Sequence, residues 1–281
     1  MSTESYSRET LFTYRYEDGT DRHLLPADEG SWSLEGIAHA ATLATHFLVE
    51  GKVRHRAPYS DKFRIYIAPP TAGSWETQFV LALASPEAWA GAIVGGAIGI
   101  PTLAFKLLRR IGNRATGVTP KNDETKAIEE RHQGSFDALV EAAEPSLIRA
   151  HRVITSDRTT LDFSAGSFKF SFNKETKTYI ETNVVDDQPS AAVGNVASFN
   201  VNRRTGRIFI DNLGRSVPFL VHKDADHGTS IALARSLENY ASTRLANSDL
   251  RLRFRATRAP DGSVKRVVIY SAQFLFGIHR P

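Results

Sequence analysis

The first third of the chain combines strand patterns with one long helix pattern. Apolar and polar residues alternate over Leu11–Tyr16 and lead into Asp18-Gly19, which predicts a strand followed by a turn. Apolar residues recur at helical spacing from Leu34 to Val49, and Gly51 follows where a left-handed C-terminal cap is common. Period-two patterns predict three further strands, at 52–56, 62–68 and 75–83. Together these elements indicate a small α+β unit.

The middle of the chain contains an uncharged stretch of 18 residues, 88–105. Three of its glycines recur every fourth residue, and in one helix they would form a smooth strip that a second backbone can approach closely. An aromatic residue lies near one end and basic residues follow the other, an arrangement typical of membrane-interface anchors. The candidate residues for membrane contact or helix packing are Trp89, Gly91, Gly95, Gly99 and Phe105.

Three interpretations of this segment compete. It can span a membrane, although its length is at the short end of the usual range of about 17–25 residues and the flanking domains would then lie on opposite sides. It can insert at a membrane surface, or do so after a conformational trigger. It can instead lie buried in the fold or at a subunit interface. Glycine costs a helix about 1 kcal/mol relative to alanine, so packing must offset that cost. We therefore expect self-association or membrane contact.

Beyond the uncharged stretch, we expect a charged helix over 124–150, which Pro145 should kink or restart. Phe168–Phe172 alternates with polar residues and precedes a turn, so 177–182 is predicted as its hairpin partner. The polar segment 184–190 is the best interdomain linker. Five short strands and one inserted helix follow, at 196–201, 206–212, 216–222, 229–244 (the helix), 250–257 and 264–274.

This element order predicts an α+β protein. Its N-terminal domain, 1–183, would hold a strand–helix–antiparallel strand unit together with the central apolar and charged helices. Its C-terminal domain, 190–281, would be a small closed or partly open β-barrel with one inserted helix.

Composition narrows the classes of function. Cysteine is absent, which excludes disulfides, thiolate zinc sites, iron–sulfur clusters and a cysteine nucleophile. The first 13 residues carry charges and no apolar run, so they are not a secretory signal, and we expect a cytoplasmic protein, with the inner face of the membrane as a second location. A net charge of +4 and a pI of about 9.3 permit an anionic partner without requiring one.

Catalytic and cofactor motifs are weak. The glycine-rich stretch lacks the Lys-Ser or Lys-Thr pair of a P-loop, and no Gly-x-Ser-x-Gly motif is present. His39 and His46 share a helix face and suit either a proton relay or a polar boundary. The segment His222–His227 offers potential metal ligands, but Asp226 or Thr229 is better explained as a helix cap. We expect neither an enzyme nor a resident metal or cofactor.

A row of arginines marks the predicted fourth barrel strand. Leu250, Leu252, Phe254 and Ala256 share one face, and the other face holds Arg251, Arg253 and Arg255, roughly 7 Å apart at each step. This spacing is close to that of phosphates along a single nucleic-acid strand, and small barrels bind such strands. Stacking aromatics are scarce, with Tyr270 the one ready candidate. The arginines can instead keep the barrel soluble or pair with acidic residues of the helical middle.

Several stretches carry a resemblance to a known class of proteins. They are Leu34-Glu-Gly-Ile-Ala-His-Ala-Ala, Phe63-Arg-Ile-Tyr-Ile-Ala-Pro-Pro, Gly73-Ser-Trp and Asp261-Gly-Ser-Val-Lys-Arg-Val-Val-Ile. The chain resembles uncharacterised bacterial proteins in which an N-terminal domain of unknown function precedes a five-stranded β-barrel. The apolar middle is also similar to the helix-bearing effectors of anti-phage modules.

Two functional hypotheses follow from these observations. The leading one is a non-enzymatic, self-associating bacterial protein that engages membrane through its apolar helix, with a role in anti-phage defence. The alternative is a soluble scaffold that binds nucleic acid or an acidic partner through the basic face of the barrel.

Overall fold

The computed structural model describes residues 7–20, 24–71, 75–84, 99–119, 133–243 and 248–275. The chain divides into two compact units, Met1–Glu181 and Thr182–Pro281. Unit 1 contains β1 (Ser7–Glu17), α1 (Ala27–Glu50), β2 (Phe63–Ile67), β3 (Glu76–Leu83), α2 (Ile100–Ala115), α3 (Gln133–Ala150), β4 (Thr160–Ala165), β5 (Phe168–Phe172) and α4 (Lys174–Glu181). Unit 2 contains β6 (Val184–Val185), β7 (Ser190–Asn200), β8 (Thr205–Ile210), β9 (Arg215–Val221), α5 (His227–Thr243), β10 (Leu250–Arg258) and β11 (Val264–Phe274).

Unit 1 is built on an antiparallel sheet with strand order β2-β3-β1-β4-β5. Its central strand β1 buries Phe12, Tyr14 and Tyr16, while Arg15 and Glu17 point away and stay exposed. The buried aromatics share one core with apolar residues of α1, α2 and α3, so these helices cover one face of the sheet. The alternation of apolar and polar residues that predicts β1 therefore also determines which face of the sheet the helices cover.

Helices α1 and α3 approach each other closely at a glycine. A Cβ on Gly36 would lie 2.4 Å from the carbonyl oxygen of Ser146, so only glycine fits this crossing. A buried chain of hydroxyls lies beside it, in which Ser33 Oγ donates to the carbonyl of Ala150 at 2.8 Å and lies 3.0 Å from the Tyr14 hydroxyl. Backbone contact and buried hydrogen bonds together join the sheet to both helices.

Two strand predictions in unit 1 are wrong. Residues 52–56 form a loop whose only partly buried side chain is Val53, so this segment has no apolar face to hold in a sheet. Residues 177–182 belong largely to α4, which begins with a reciprocal cap. Asn173 Oδ1 accepts from the Thr176 N–H at 3.0 Å, and Thr176 Oγ1 accepts from the Asn173 N–H at 2.8 Å. The hairpin partner of β5 is instead β4, which precedes it.

The predicted charged helix lies partly outside the described residues, which begin again at Gln133. From there α3 continues to Ala150 with Pro145 inside it, so the proline does not end the helix. The predicted linker 184–190 is hydrogen-bonded to the barrel. Strand β6 pairs with β10, and the Asp186 N–H donates to the carbonyl of Ala256 at 2.9 Å.

Unit 2 is a closed five-stranded barrel with strand order β7-β8-β9-β11-β10, closed by pairing of β10 with β7. All of these pairings are antiparallel except that between β9 and β11, which is parallel. Helix α5 joins β9 to β10, and its Leu233 is buried in the barrel core. The α+β class and the C-terminal barrel with its inserted helix are thus confirmed.

Candidate functional site

The basic face of the barrel begins on β10, where the predicted alternation holds. Leu250, Leu252, Phe254 and Ala256 are buried in the barrel core. On the opposite face, Arg251 and Arg253 are exposed and Arg255 is half-buried. Within the described part of unit 2, no carboxylate pairs with any of the three guanidinium groups.

Arg258, the last residue of β10, is already neutralised. Its guanidinium donates to both carboxylate oxygens of Asp186, at 2.7 and 3.0 Å. These hydrogen bonds hold the pKa of Asp186 below its usual value. Arg258 fastens the segment around β6 to the barrel, so the basic face ends at Arg255.

An aromatic pair lies beside this face. The strand β11 carries a bulge opposite Arg253 and Phe254, at which Tyr270 is the unpaired extra residue. A bulge redirects a side chain locally, and here the phenol ring stacks on the imidazole of His222, with 4.4 Å between ring centroids and 26° between ring planes. The guanidinium of Arg255 lies 5.7 Å from the centroid of the Tyr270 ring. Arg255 of β10, Tyr270 of β11 and His222 at the end of β9 thus form one cluster.

Arg204 extends the cluster to the turn between β7 and β8. It is the one described non-glycine residue with positive φ, at 56°. Its Nη2 donates to the carbonyl of His222 at 2.9 Å, and its Nη1 donates to that of Lys223 at 3.2 Å. The guanidinium therefore holds the end of β9 against the turn. We call Arg204, His222, Arg251, Arg253, Arg255 and Tyr270 the barrel cluster.

The segment after His222 is a helix cap. Asp226 Oδ1 accepts from the Thr229 N–H at 2.6 Å and from its hydroxyl at 2.9 Å, which confirms the predicted capping role. These bonds lower the pKa of Asp226. In the described ranges, no three histidine, aspartate or glutamate residues come together as metal ligands.

The apolar segment is only partly described. Trp89, Gly91 and Gly95 lie outside the described residues, so their predicted roles in membrane contact or helix packing stay predictions. Gly99 is the N-cap of α2 with ψ of 97°, and Pro101 occupies the first turn. Residues 100–105 are helical as predicted, but one unbroken helix over 88–105 is wrong, because a helix begins after Gly99 and proline favours such a start.

Phe105 is a core residue of unit 1. It is fully buried and stacks on Phe12 with 5.6 Å between ring centroids, so its packing is intramolecular. The basic residues that follow lie along α2, where the Lys106 ammonium is 4.3 Å from the ring centroid of Phe168. Among the described helices, none has the length and hydropathy that a membrane crossing requires.

His39 of α1 belongs to a polar network at the α1–α3 contact, whereas Nδ1 of the second α1 histidine, His46, accepts from the Ser60 N–H at 3.1 Å. His39 Nδ1 lies 2.7 Å from Ser146 Oγ, and its Nε2 lies 2.6 Å from the Tyr59 hydroxyl. Burial lowers the pKa of both His39 and His46. Ser146 is 1% exposed, so no substrate reaches its hydroxyl. The hydrogen bonds of His39 thus join α1 to α3 and to the loop that holds Tyr59.

Comparison with known proteins gives two partial matches. Residues 12–105 match the model described as Domain of unknown function (DUF7946), and residues 188–273 match that of a Family of unknown function (DUF7947). Each match lies within one of the two units. They support the resemblance in its coarser form, two domains of unknown function, the second coinciding with the barrel. No curated protein and no solved structure matches the chain.

Proposed function

We propose that the chain binds single-stranded nucleic acid through the barrel cluster. The observation that carries the proposal is the arginine row on β10. Three guanidinium groups occupy alternate positions of one strand, and no carboxylate pairs with them within the described part of unit 2. Guanidinium groups bind phosphate oxygens in bidentate geometry, and the step of roughly 7 Å between alternate residues suits successive phosphates.

The aromatic pair supports nucleic acid over other polyanions. A purely phosphate-binding surface needs only charge, whereas proteins that bind single strands add rings on which bases stack. The cluster places Tyr270 beside Arg255, and His222 stacks on the Tyr270 ring. Aromatic and cationic groups therefore lie at one location, which is the combination that single-strand binding uses.

Topology adds a weaker, fold-level argument. The barrel has its inserted helix between the third and fourth strands and pairs its third and fifth strands in parallel. Oligonucleotide-binding barrels of five strands share this arrangement. Such barrels bind oligonucleotides through their second and third strands and the loops 1–2 and 4–5. Here the three arginines lie on the fourth strand and Tyr270 on the fifth, with Arg204 in the loop between the first and second. Because one fold hosts many functions, the arginines carry the proposal and the topology supports it.

Binding to a labelled single strand tests the proposal. The full chain is titrated into fluorescein-labelled DNA or RNA of about 20 nucleotides, longer than the ~4–16 that one small barrel covers. The test variant is Arg251→Gln/Arg253→Gln/Arg255→Gln. The matched control, Arg64→Gln/Lys169→Gln/Lys174→Gln, removes the same charge from exposed positions of unit 1.

The expected result follows from counterion release. Each contact with a phosphate of a single strand contributes about 0.7 to the log–log salt slope, so losing three contacts weakens binding about 100-fold at about 0.1 M salt. The control should bind like the parent. Equal affinities of the two triple variants would contradict the proposal. Displacement of the strand by polyglutamate as readily as by unlabelled nucleic acid would favour an acidic protein partner instead.

A further inference from the structure

The barrel cluster holds its two rings in different ways. Tyr270 has two neighbours at its ring, because one face stacks on His222 and the Arg255 guanidinium lies 5.7 Å from its centroid. Both neighbours take up space beside the Tyr270 ring that a stacking base would need. The imidazole of His222 is in contact with Tyr270 through one face, and its side chain remains 28% exposed.

His222 is also fixed in place before any ligand arrives. Its backbone N–H donates to the carbonyl of Ile269 at 2.8 Å, and its own carbonyl accepts from Arg204. The ring nitrogen Nδ1 accepts from the N–H of Asp224 at 3.3 Å. Neighbouring residues thus contact the backbone of His222, one edge of its ring and one face of its ring. A side chain ordered in this way loses little conformational entropy when a ligand stacks on it.

We propose that His222 is the base-stacking residue of the barrel cluster and that Tyr270 is a positioning residue that supports the imidazole from behind. This inference rests on the proposed function and assigns its chemistry. The arginines of β10 hold the phosphates, and the exposed part of the imidazole takes one base of the same strand. The ligand is then a single strand whose bases are unpaired, since a base inside a duplex has no free face to stack.

The test compares two strands that differ only in their bases. One is a single-stranded DNA of about 20 nucleotides, and the other is an abasic strand of equal length with the same phosphates. Each is titrated with the parent, His222→Ala, His222→Phe and Tyr270→Leu at pH 8. A 2-aminopurine base in the first strand reports stacking through its fluorescence, and the circular dichroism of each variant checks that the barrel is folded.

The parent should prefer the strand with bases by about tenfold, the effect of one stacked base. His222→Ala should lose this preference and the 2-aminopurine quenching while it still binds the abasic strand like the parent. His222→Phe should retain the preference because it keeps a ring, and Tyr270→Leu should reduce it.

Three outcomes would overturn the inference, and only one of them would also overturn the proposed function. Equal binding of both strands by the parent would overturn the stacking role of His222 and leave phosphate binding by the arginines intact. Absence of binding to either strand would overturn both. A His222→Ala variant that keeps the full preference would also refute the role assigned to His222.

Discussion

His151 provides a stability measurement whose size follows from the structure of unit 1. The residue is fully buried, stacks on Phe172 with 4.1 Å between centroids, and donates from Nδ1 to the carbonyl of Leu147 at 2.7 Å. Because Nδ1 carries the proton, the neutral ring has Nε2 as an acceptor, which lies 3.1 Å from Thr176 Oγ1. Burial lowers its pKa from 6.5 to about 4. The imidazole is therefore neutral in the folded protein at pH 5.

The sign of the pH effect follows from this lowered pKa. Above pH 6.5 the imidazole is neutral in both states, and the folded protein keeps its full stability. As the pH falls toward 4, the unfolded chain takes up a proton that the folded chain does not, so the free energy of unfolding decreases. Between pH 7 and pH 5 this linkage removes about 2 kcal/mol.

The assay is urea unfolding at pH 7 and pH 5, followed by tryptophan fluorescence. All three tryptophans, at positions 32, 75 and 89, belong to unit 1, so the signal reports that unit. His151→Gln should lose about 2 kcal/mol less than the parent between these pH values, whereas the control His55→Gln, at an exposed position, should behave like the parent. Equal losses in the parent and His151→Gln would refute the reasoning.

Three further predictions concern packing and charge. Gly36→Ala should destabilise unit 1 by about 1–3 kcal/mol in the same urea assay, because its Cβ meets the Ser146 carbonyl, while Gly112→Ala should cost less because only ring atoms at 3.4 Å and beyond approach it. Phe105→Ala should cost about 3–5 kcal/mol through a core cavity. Asp224→Asn, which removes an exposed carboxylate 3.7 Å from His222 Nδ1, should tighten single-strand binding in the anisotropy assay, and weaker binding would contradict the site.

Local periodicity was sufficient for most of the fold. The β10 face was predictable because burial of alternate leucines leaves alternate arginines outside. The start of α2 was mispredicted because uncharged residues continue through Gly99, and hydrophobicity alone does not indicate where a helix begins. Pro101, in the first turn, is the residue that indicates this start. The segment after Asn173 was mispredicted as a strand because asparagine is common both in turns and at helix caps. Its reciprocal hydrogen bonds with Thr176 stabilise the start of a helix.

Tyr270 was a candidate from the sequence, but its contact with His222 was not predictable in this way. Tyr270 meets His222 only because β9 and β11 pair in parallel, so residues 48 positions apart become neighbours. The bulge that directs Tyr270 depends on the register with β10. Pairing and register of distant strands are properties of the whole barrel. Sequence patterns supplied the charge of the site, and tertiary structure supplied its stacking surface.

The salt dependence of single-strand binding tests the central claim most directly. The affinity of the parent and of Arg251→Gln/Arg253→Gln/Arg255→Gln is measured by anisotropy over a range of salt concentrations, and the logarithms are plotted against each other. If the three arginines each bind a phosphate, the slope of the triple variant should be shallower than that of the parent by about 2. Equal slopes would show that these arginines do not contact the strand, and would contradict the account.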